Sequence, residues 1–166
     1  MKELILGPRN SGKSRYAETK MDRYGSQLGY VGTLPRRYEH LARIKIHQTR
    51  RDERWSLIEL SQWRPLEHMA FLDLFETSNG VLIDGLSSLM WSHLIIGGWP
   101  IRDLQRVQDD ILNTLSTTDK SWIIVDCDDP FPKNPDLQWF SNFILNFHEE
   151  LSQIAENVIK LSLTIA

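Results

Sequence analysis

The stretch Leu4–Glu18, LILGPRNSGKSRYAE, decides how the rest of the chain is read. Leu4-Ile5-Leu6 is a short apolar run, as expected of a strand buried on both faces. Gly7-Pro8-Arg9-Asn10-Ser11-Gly12-Lys13-Ser14 then fits the phosphate-loop pattern G-x-x-x-x-G-K-S/T at every fixed position. The glycines permit a tight turn whose backbone amides point inward at phosphate oxygens. A helix opening at Lys13 adds the positive end of its dipole. Lys13 would reach the β- and γ-phosphates, and Ser14 would hold Mg2+. The stretch therefore implies a strand, a loop and a helix that bind a nucleoside triphosphate, GTP or ATP. By itself it serves kinases, switches and motors alike.

Outward from the loop, short apolar runs alternate with helical patterns, the signature of βαβ units and a parallel sheet. A helix is expected from Lys13 to Tyr24, stopped by Gly25. Strands are expected at Leu28–Val31, Leu57–Leu60, Val81–Ile83, Trp122–Val125 and Val158–Ile165. Tyr38–Gln48, Pro65–Thr77 and Ser87–Ile96 read as helices, the second opened by its proline. Ile101, Leu104, Val107, Ile111, Leu112 and Leu115 recur at helical spacing, as do Phe140, Ile144, Phe147, Leu151 and Ile154 within Leu137–Asn157. Pro130, Pro132 and Pro135 mark a stiff loop before that last helix. The fold expected is α/β and P-loop NTPase-like: a mostly parallel twisted sheet with helices on both faces, with right-handed crossovers. A length of 166 residues suits one domain, 1–166.

Composition narrows the class. The net charge of −3 gives no basic footprint for nucleic acid. No apolar run reaches the roughly 18 residues of a membrane helix, and the start is too quickly polar for a signal peptide. The single cysteine, Cys127, cannot close an internal disulfide, so a reducing, cytoplasmic setting is expected. Six tryptophans are expected as core or subunit-interface anchors.

A phosphate loop needs an acidic partner for its metal. Asp84 ends Val-Leu-Ile and Asp126 ends Ile-Ile-Val, so both would lie at the carboxyl edge of a parallel sheet, where ligands bind in open α/β folds. Periodicity leaves the choice open. The second chemical feature is the basic run His40–Trp55, HLARIKIHQTRRDERW. On a helix His40, Arg43 and His47 share a face, with Leu41 and Ile44 on another. Guanidinium forks suit phosphate, and a neutral imidazole among them could attack phosphorus. A solvated basic helix with an idle histidine fits the same letters.

These blocks together resemble the adenosylcobinamide kinase / adenosylcobinamide-phosphate guanylyltransferase family. Its members open with a strand, a loop ending Ser-Gly-Lys-Ser, then Arg, an aromatic or His, and Ala-Glu. Tyr30–Thr33, YVGT, is similar to the family's Tyr-Ile-Ala-Thr. Ala42–Glu59 is similar to its Arg-Ile-x-x-His block followed by a basic turn, Trp and Glu. Val81–Leu89 is similar to its acidic strand end. The resemblance runs from Leu4 to about Leu94. It implies phosphorylation of adenosylcobinamide, a corrinoid, followed by transfer of GMP from GTP through a guanylylated histidine, which would be His47. It implies Asp84 rather than Asp126 as the acidic residue at the metal, and Gly32, Thr33 and Glu59 as lining the nucleotide site. Arg50, Arg51 and Arg54 would screen phosphate charge, and a homotrimer is the implied assembly.

The chain departs from the family pattern at four places, one of them a shortening around Gly97–Arg102. Gln48–Arg51 replaces a Lys-Asp-Gly-Arg-like turn. Asp126-Cys127-Asp128-Asp129 replaces an Asn-Glu-Val-Gly-like sequence. His148-Glu149 stands where an Asn-Gln pair is usual. Two other readings fit the loop: a small-molecule kinase of other specificity, which needs no histidine, and a nucleotide-binding homologue without transferase activity. No Asn-Lys-x-Asp-like guanine reader marks a GTP switch.

Overall fold

The structure, a computed structural model, describes residues 1–33, 45, 51–128 and 134–162. Its six strands are β1 (Lys2–Gly7), β2 (Leu28–Gly32), β3 (Trp55–Glu59), β4 (Gly80–Asp84), β5 (Ser121–Cys127) and β6 (Asn157–Lys160). They form one all-parallel sheet in the order β3-β2-β4-β5-β1-β6. The helices are α1 (Lys13–Met21), α2 (Pro65–Thr77), α3 (Leu86–Trp91), α4 (Asp103–Thr117) and α5 (Gln138–Ile154). The α/β fold expected from the alternating runs is the fold observed.

Side chains alternate across a strand, and here the alternation sorts two cores. Ile5, Leu28, Tyr30, Leu82, Ile123 and Val125 face Ala17 and Met21 of α1. Leu4, Leu6, Val31, Val81, Ile83, Trp122 and Ile124 face the other way, onto the larger core. That core takes Phe71, Leu74 and Phe75 from α2, Leu104, Val107, Ile111 and Leu115 from α4, and Phe140, Ile144, Phe147 and Leu151 from α5. The two stripes read from sequence in α4 and α5 are thus the buried faces. Trp63 and Trp122 are fully buried anchors, whereas Trp139 keeps 38% of its surface in solvent.

Boundaries moved where tertiary pairing overrode local pattern. The first helix is α-helical to Met21 and tightens to a 3-10 turn over Asp22–Tyr24 before Gly25, at φ 83°. β3 starts two residues early, because its ladder with β2 pairs Trp55 with Leu28. Gly80 opens a strand rather than only closing a helix: α2 ends at Thr77 and Gly80 is paired to Leu28 and Ser121. Ile101 precedes α4 and is 60% exposed. The last helix stops at Ile154, since the Glu156 amide donates to the Lys2 carbonyl (2.7 Å) and Asn157–Lys160 pair with β1. Past Trp91 the third helix widens into a π-type turn over Ser92–Ile96. There His93, fully buried, accepts from the Trp63 amide (3.0 Å) and bonds Asp103 (2.6 Å). The helix expected at residues 38–48, most of the proline loop (residues 130–133) and the end of the last strand (163–165) lie outside the described residues, apart from Lys45, which is helical.

Gly29 sets how closely α2 lies on the sheet. A Cβ there would come within 2.7 Å of Leu74 Cγ and 2.8 Å of Ser78 Oγ. Gly29→Ala is expected to cost about 1–3 kcal/mol by overpacking, read as a lower urea midpoint at unchanged slope.

Candidate active site

The loop between β1 and α1 has the backbone its glycines imply. Gly12 sits at φ 81° and Asn10 at φ 63°. Gly7 must lack a side chain, because a Cβ would meet Ser11 Oγ at 2.8 Å and the Leu161 carbonyl at 3.0 Å. Lys13 arches over the loop, and its Nζ donates to the Pro8 carbonyl (2.9 Å). Arg9 and Asn10 stand exposed at the rim. Ser11 Oγ is buried and finds no hydrogen-bond partner among the described residues. No side chain caps α1 and its first turn holds no acid. Its leading amides are therefore left for an anion, which fits a phosphate group.

Strand parity selects the acidic partner. Asp84 shares the face of Leu82, toward α1. Ser14 Oγ lies 3.1 Å from both of its carboxylate oxygens. Tyr30 Oη donates to Asp84 Oδ2 at 2.8 Å. Burial first, and then the charge of Asp84, push the Tyr30 hydroxyl well above its ordinary range, so it stays a donor. Asp126 shares the face of Ile124 and points the other way. Its carboxylate accepts from the Ser87 amide (3.2 Å), the Ser87 hydroxyl and His148 Nε2 (2.7 Å), and it is only 3% exposed. Asp84 is half-buried beside the loop, and hydroxyl plus carboxylate is the hard-oxygen set that suits Mg2+. Of the two acids, only Asp84 is placed to serve the loop.

The comparison with known families agrees with this geometry. The profile described as cobinamide kinase / cobinamide phosphate guanyltransferase matches residues 3–163. The chain belongs to that family. It is accordingly an enzyme of cobalamin biosynthesis, with kinase and guanylyltransferase activities toward cobinamide and its phosphate. The match runs well past Leu94, where the similarity legible by eye ended, and takes in the altered residues at 126–129 and 148–149. No curated protein matches the chain significantly. Among the described residues no helix is long and apolar enough to cross a membrane.

Within this cobinamide kinase fold, the remaining sequence-derived residues fall into three groups. Gly32 pairs with both Glu59 and Asp84, so all three stand in one row at the carboxyl edge of the sheet. A Cβ on Gly32 would meet the Glu59 carboxylate and push that side chain out of its present position. Thr33 is buried, and its hydroxyl donates to the Asp84 carbonyl (3.0 Å), holding the turn that aims Asp84. The Arg51 side chain is 1% exposed, pairs with Glu18 of α1, and lays its guanidinium 3.4 Å over the Tyr30 ring. Arg54 is taken up by Asp52 (3.0 Å) and Asp22 (3.1 Å). His47 and Arg50, like His40, lie outside the described residues.

Sequence reading missed what three residues do: Tyr30, Ser87 and His148. Tyr30 was seen only as part of a strand; its parity with Leu28, on the face Asp84 shares, was the available signal. Ser87 and His148 were noted without their joint target, Asp126. Cys127 pairs with Gly7 across the β1–β5 ladder, and burial pushes its thiol up, which keeps it protonated at neutral pH.

Removing the Asp126 carboxylate strands the donors of Ser87 and His148. Asp126→Ala is expected to lose about 3–5 kcal/mol of stability by the logic of a broken buried pair, measured by chemical denaturation. Asp84→Asn, at a half-exposed site, is expected to stay within about 1 kcal/mol of wild type in the same assay.

Proposed function

We propose that the loop Gly7-Pro8-Arg9-Asn10-Ser11-Gly12-Lys13-Ser14 binds GTP or ATP with Mg2+, and that His47 carries GMP between GTP and the corrinoid phosphate. The observation that carries the nucleotide reading is the Ser14–Asp84 contact of 3.1 Å beside an uncapped helix start. Ser14 and Asp84 would hold the metal, which screens phosphate charge. Lys13, freed from the Pro8 carbonyl, would bridge the β- and γ-phosphates. Gly32 and Glu59 would line the site along the sheet edge. Thr33 and Arg51 would act from behind it, and Arg50 would face phosphate.

Two displacements at phosphorus follow. In the first, the aminopropanol hydroxyl of adenosylcobinamide attacks the γ-phosphorus. The bond to the β-bridging oxygen breaks, the nucleoside diphosphate leaves, and the hydroxyl proton passes to solvent. Positioning and charge neutralisation do most of this work. In the second, a neutral His47 nitrogen attacks the α-phosphorus of GTP and pyrophosphate leaves. A phosphate oxygen of adenosylcobinamide phosphate then attacks the same phosphorus, the nitrogen–phosphorus bond breaks, and His47 is regenerated. The single cysteine and the absence of a membrane-length helix among the described residues support a cytoplasmic setting. Exposed Leu66 and Met69 on α2 offer apolar surface for a homotrimer.

After incubation with α-labelled GTP, wild type is expected to retain an acid-labile GMP adduct that peptide mass spectrometry places on His47. His47→Ala is expected to lose the adduct and at least about a hundredfold of guanylyl transfer, while keeping kinase turnover. Equal labelling of the two proteins would remove His47 from the reaction. Lys13→Ala is expected to lower both activities together, by at least about a hundredfold.

A further inference from the structure

Tyr30 is a fully enclosed polar group next to the proposed metal carboxylate. Among the described residues, the side-chain donors to that carboxylate are Ser14 and Tyr30. The two differ in what holds them. Ser14 stands in the first turn of α1, directly after the phosphate loop. Tyr30 stands in mid-sheet between β3 and β4, and only 1% of it is exposed. Its ring is boxed. The Arg51 guanidinium lies on one face at 3.4 Å, and the Trp55 ring meets it at an interplanar angle of 82° with centroids 6.5 Å apart. Arg51 is itself tied to Glu18, one turn beyond Ser14 on α1.

We propose that Tyr30 is a positioning residue for the metal: its hydroxyl fixes the rotation of the Asp84 carboxylate toward Ser14, and Arg51 fixes Tyr30. The inference rests on the reading of Ser14 and Asp84 as the metal pair. A carboxylate at a strand end turns freely about its last torsion unless one oxygen is pinned. The 2.8 Å bond from Tyr30 pins Oδ2 from within the sheet, which leaves Oδ1 and the outer lone pairs of Oδ2 for the metal and its waters. Outer-shell hydrogen bonds of this kind tune metal affinity without touching the ion. Arg51 thus links α1, through Glu18, to the tyrosine that holds the Asp84 carboxylate.

The test is the Mg2+ dependence of GTP binding, measured by calorimetry on wild type, Tyr30→Phe and Ser14→Ala, each in EDTA and across a Mg2+ titration. Tyr30→Phe keeps the ring under Arg51 and removes only the hydroxyl. It is expected to bind GTP in EDTA as wild type does, and to need about tenfold more Mg2+ for half of the enhancement. Ser14→Ala is expected to lose the enhancement. Each midpoint is read on the folded, binding-competent fraction, so a loss of folded protein lowers the amplitude and not the midpoint. A Tyr30→Phe midpoint equal to that of wild type, with Ser14→Ala impaired, overturns the positioning role and leaves the metal pair standing. Wild-type binding indifferent to Mg2+ overturns the metal pair and this role with it.

Discussion

The contact between Ser14 and Asp84 joins the two halves of the fold, because it ties the loop after β1 to the end of β4 across an intervening strand. It depends on parity. Leu82 and Asp84 point to the face that α1 covers, and α1 covers that face because Ala17 and Met21 are its buried residues. A shift of one residue in the β4 register would send Asp84 into the larger core, where α3 begins. Register is held by the full ladder from Gly80–Ser121 to Asp84–Val125. The small residues around the turn serve the same end: Gly85 adopts φ 101°, its amide bonds the Val125 carbonyl (2.8 Å), and Thr33 grips the carbonyl of Asp84. The geometry of the phosphate site is thus a consequence of sheet register more than of the loop itself.

Much of this was legible in the chain. The phosphate loop, the strand before it and the helix after it are local, and local signals survive folding: steric limits on Gly12 and the apolar run at Leu4–Leu6 act whatever surrounds them. The stripes of α4 and α5 were legible for the same reason. Boundaries failed where distant pairing decided, as at β6, which takes Asn157 from the expected last helix and ends that helix at Ile154. The role of Arg51 was not legible. A basic residue beside other basic residues reads as a phosphate ligand, and only the packed structure reveals a guanidinium sealed between Glu18 and the ring of Tyr30. The choice between Asp84 and Asp126 needed family resemblance at first. The sequence already held the physical answer in strand parity, but it could be used only once the face of α1 was known.

The same parity bears on the residues that depart from the family pattern. Asp126 stands at the start of the altered Asn-Glu-Val-Gly-like segment, and His148 where a polar amide is usual. They are 22 positions apart in sequence and meet at 2.7 Å, both nearly sealed from solvent. Here the carboxylate of Asp126, at the end of β5, satisfies the Ser87 donors at the start of α3 as well as His148. Changing one side alone would leave a buried charge without its partner, a cost of several kcal/mol. Both departures lie on the face of the sheet turned away from Ser14 and Asp84, where their side chains meet each other. Losing the family's letters at 126 and 148 does not count against the nucleotide site, since those positions brace the helices behind it. The altered turn at 48–51 is different in kind. Its last residue, Arg51, keeps the arginine of the family's turn and lies over the ring of Tyr30, which in turn donates to Asp84.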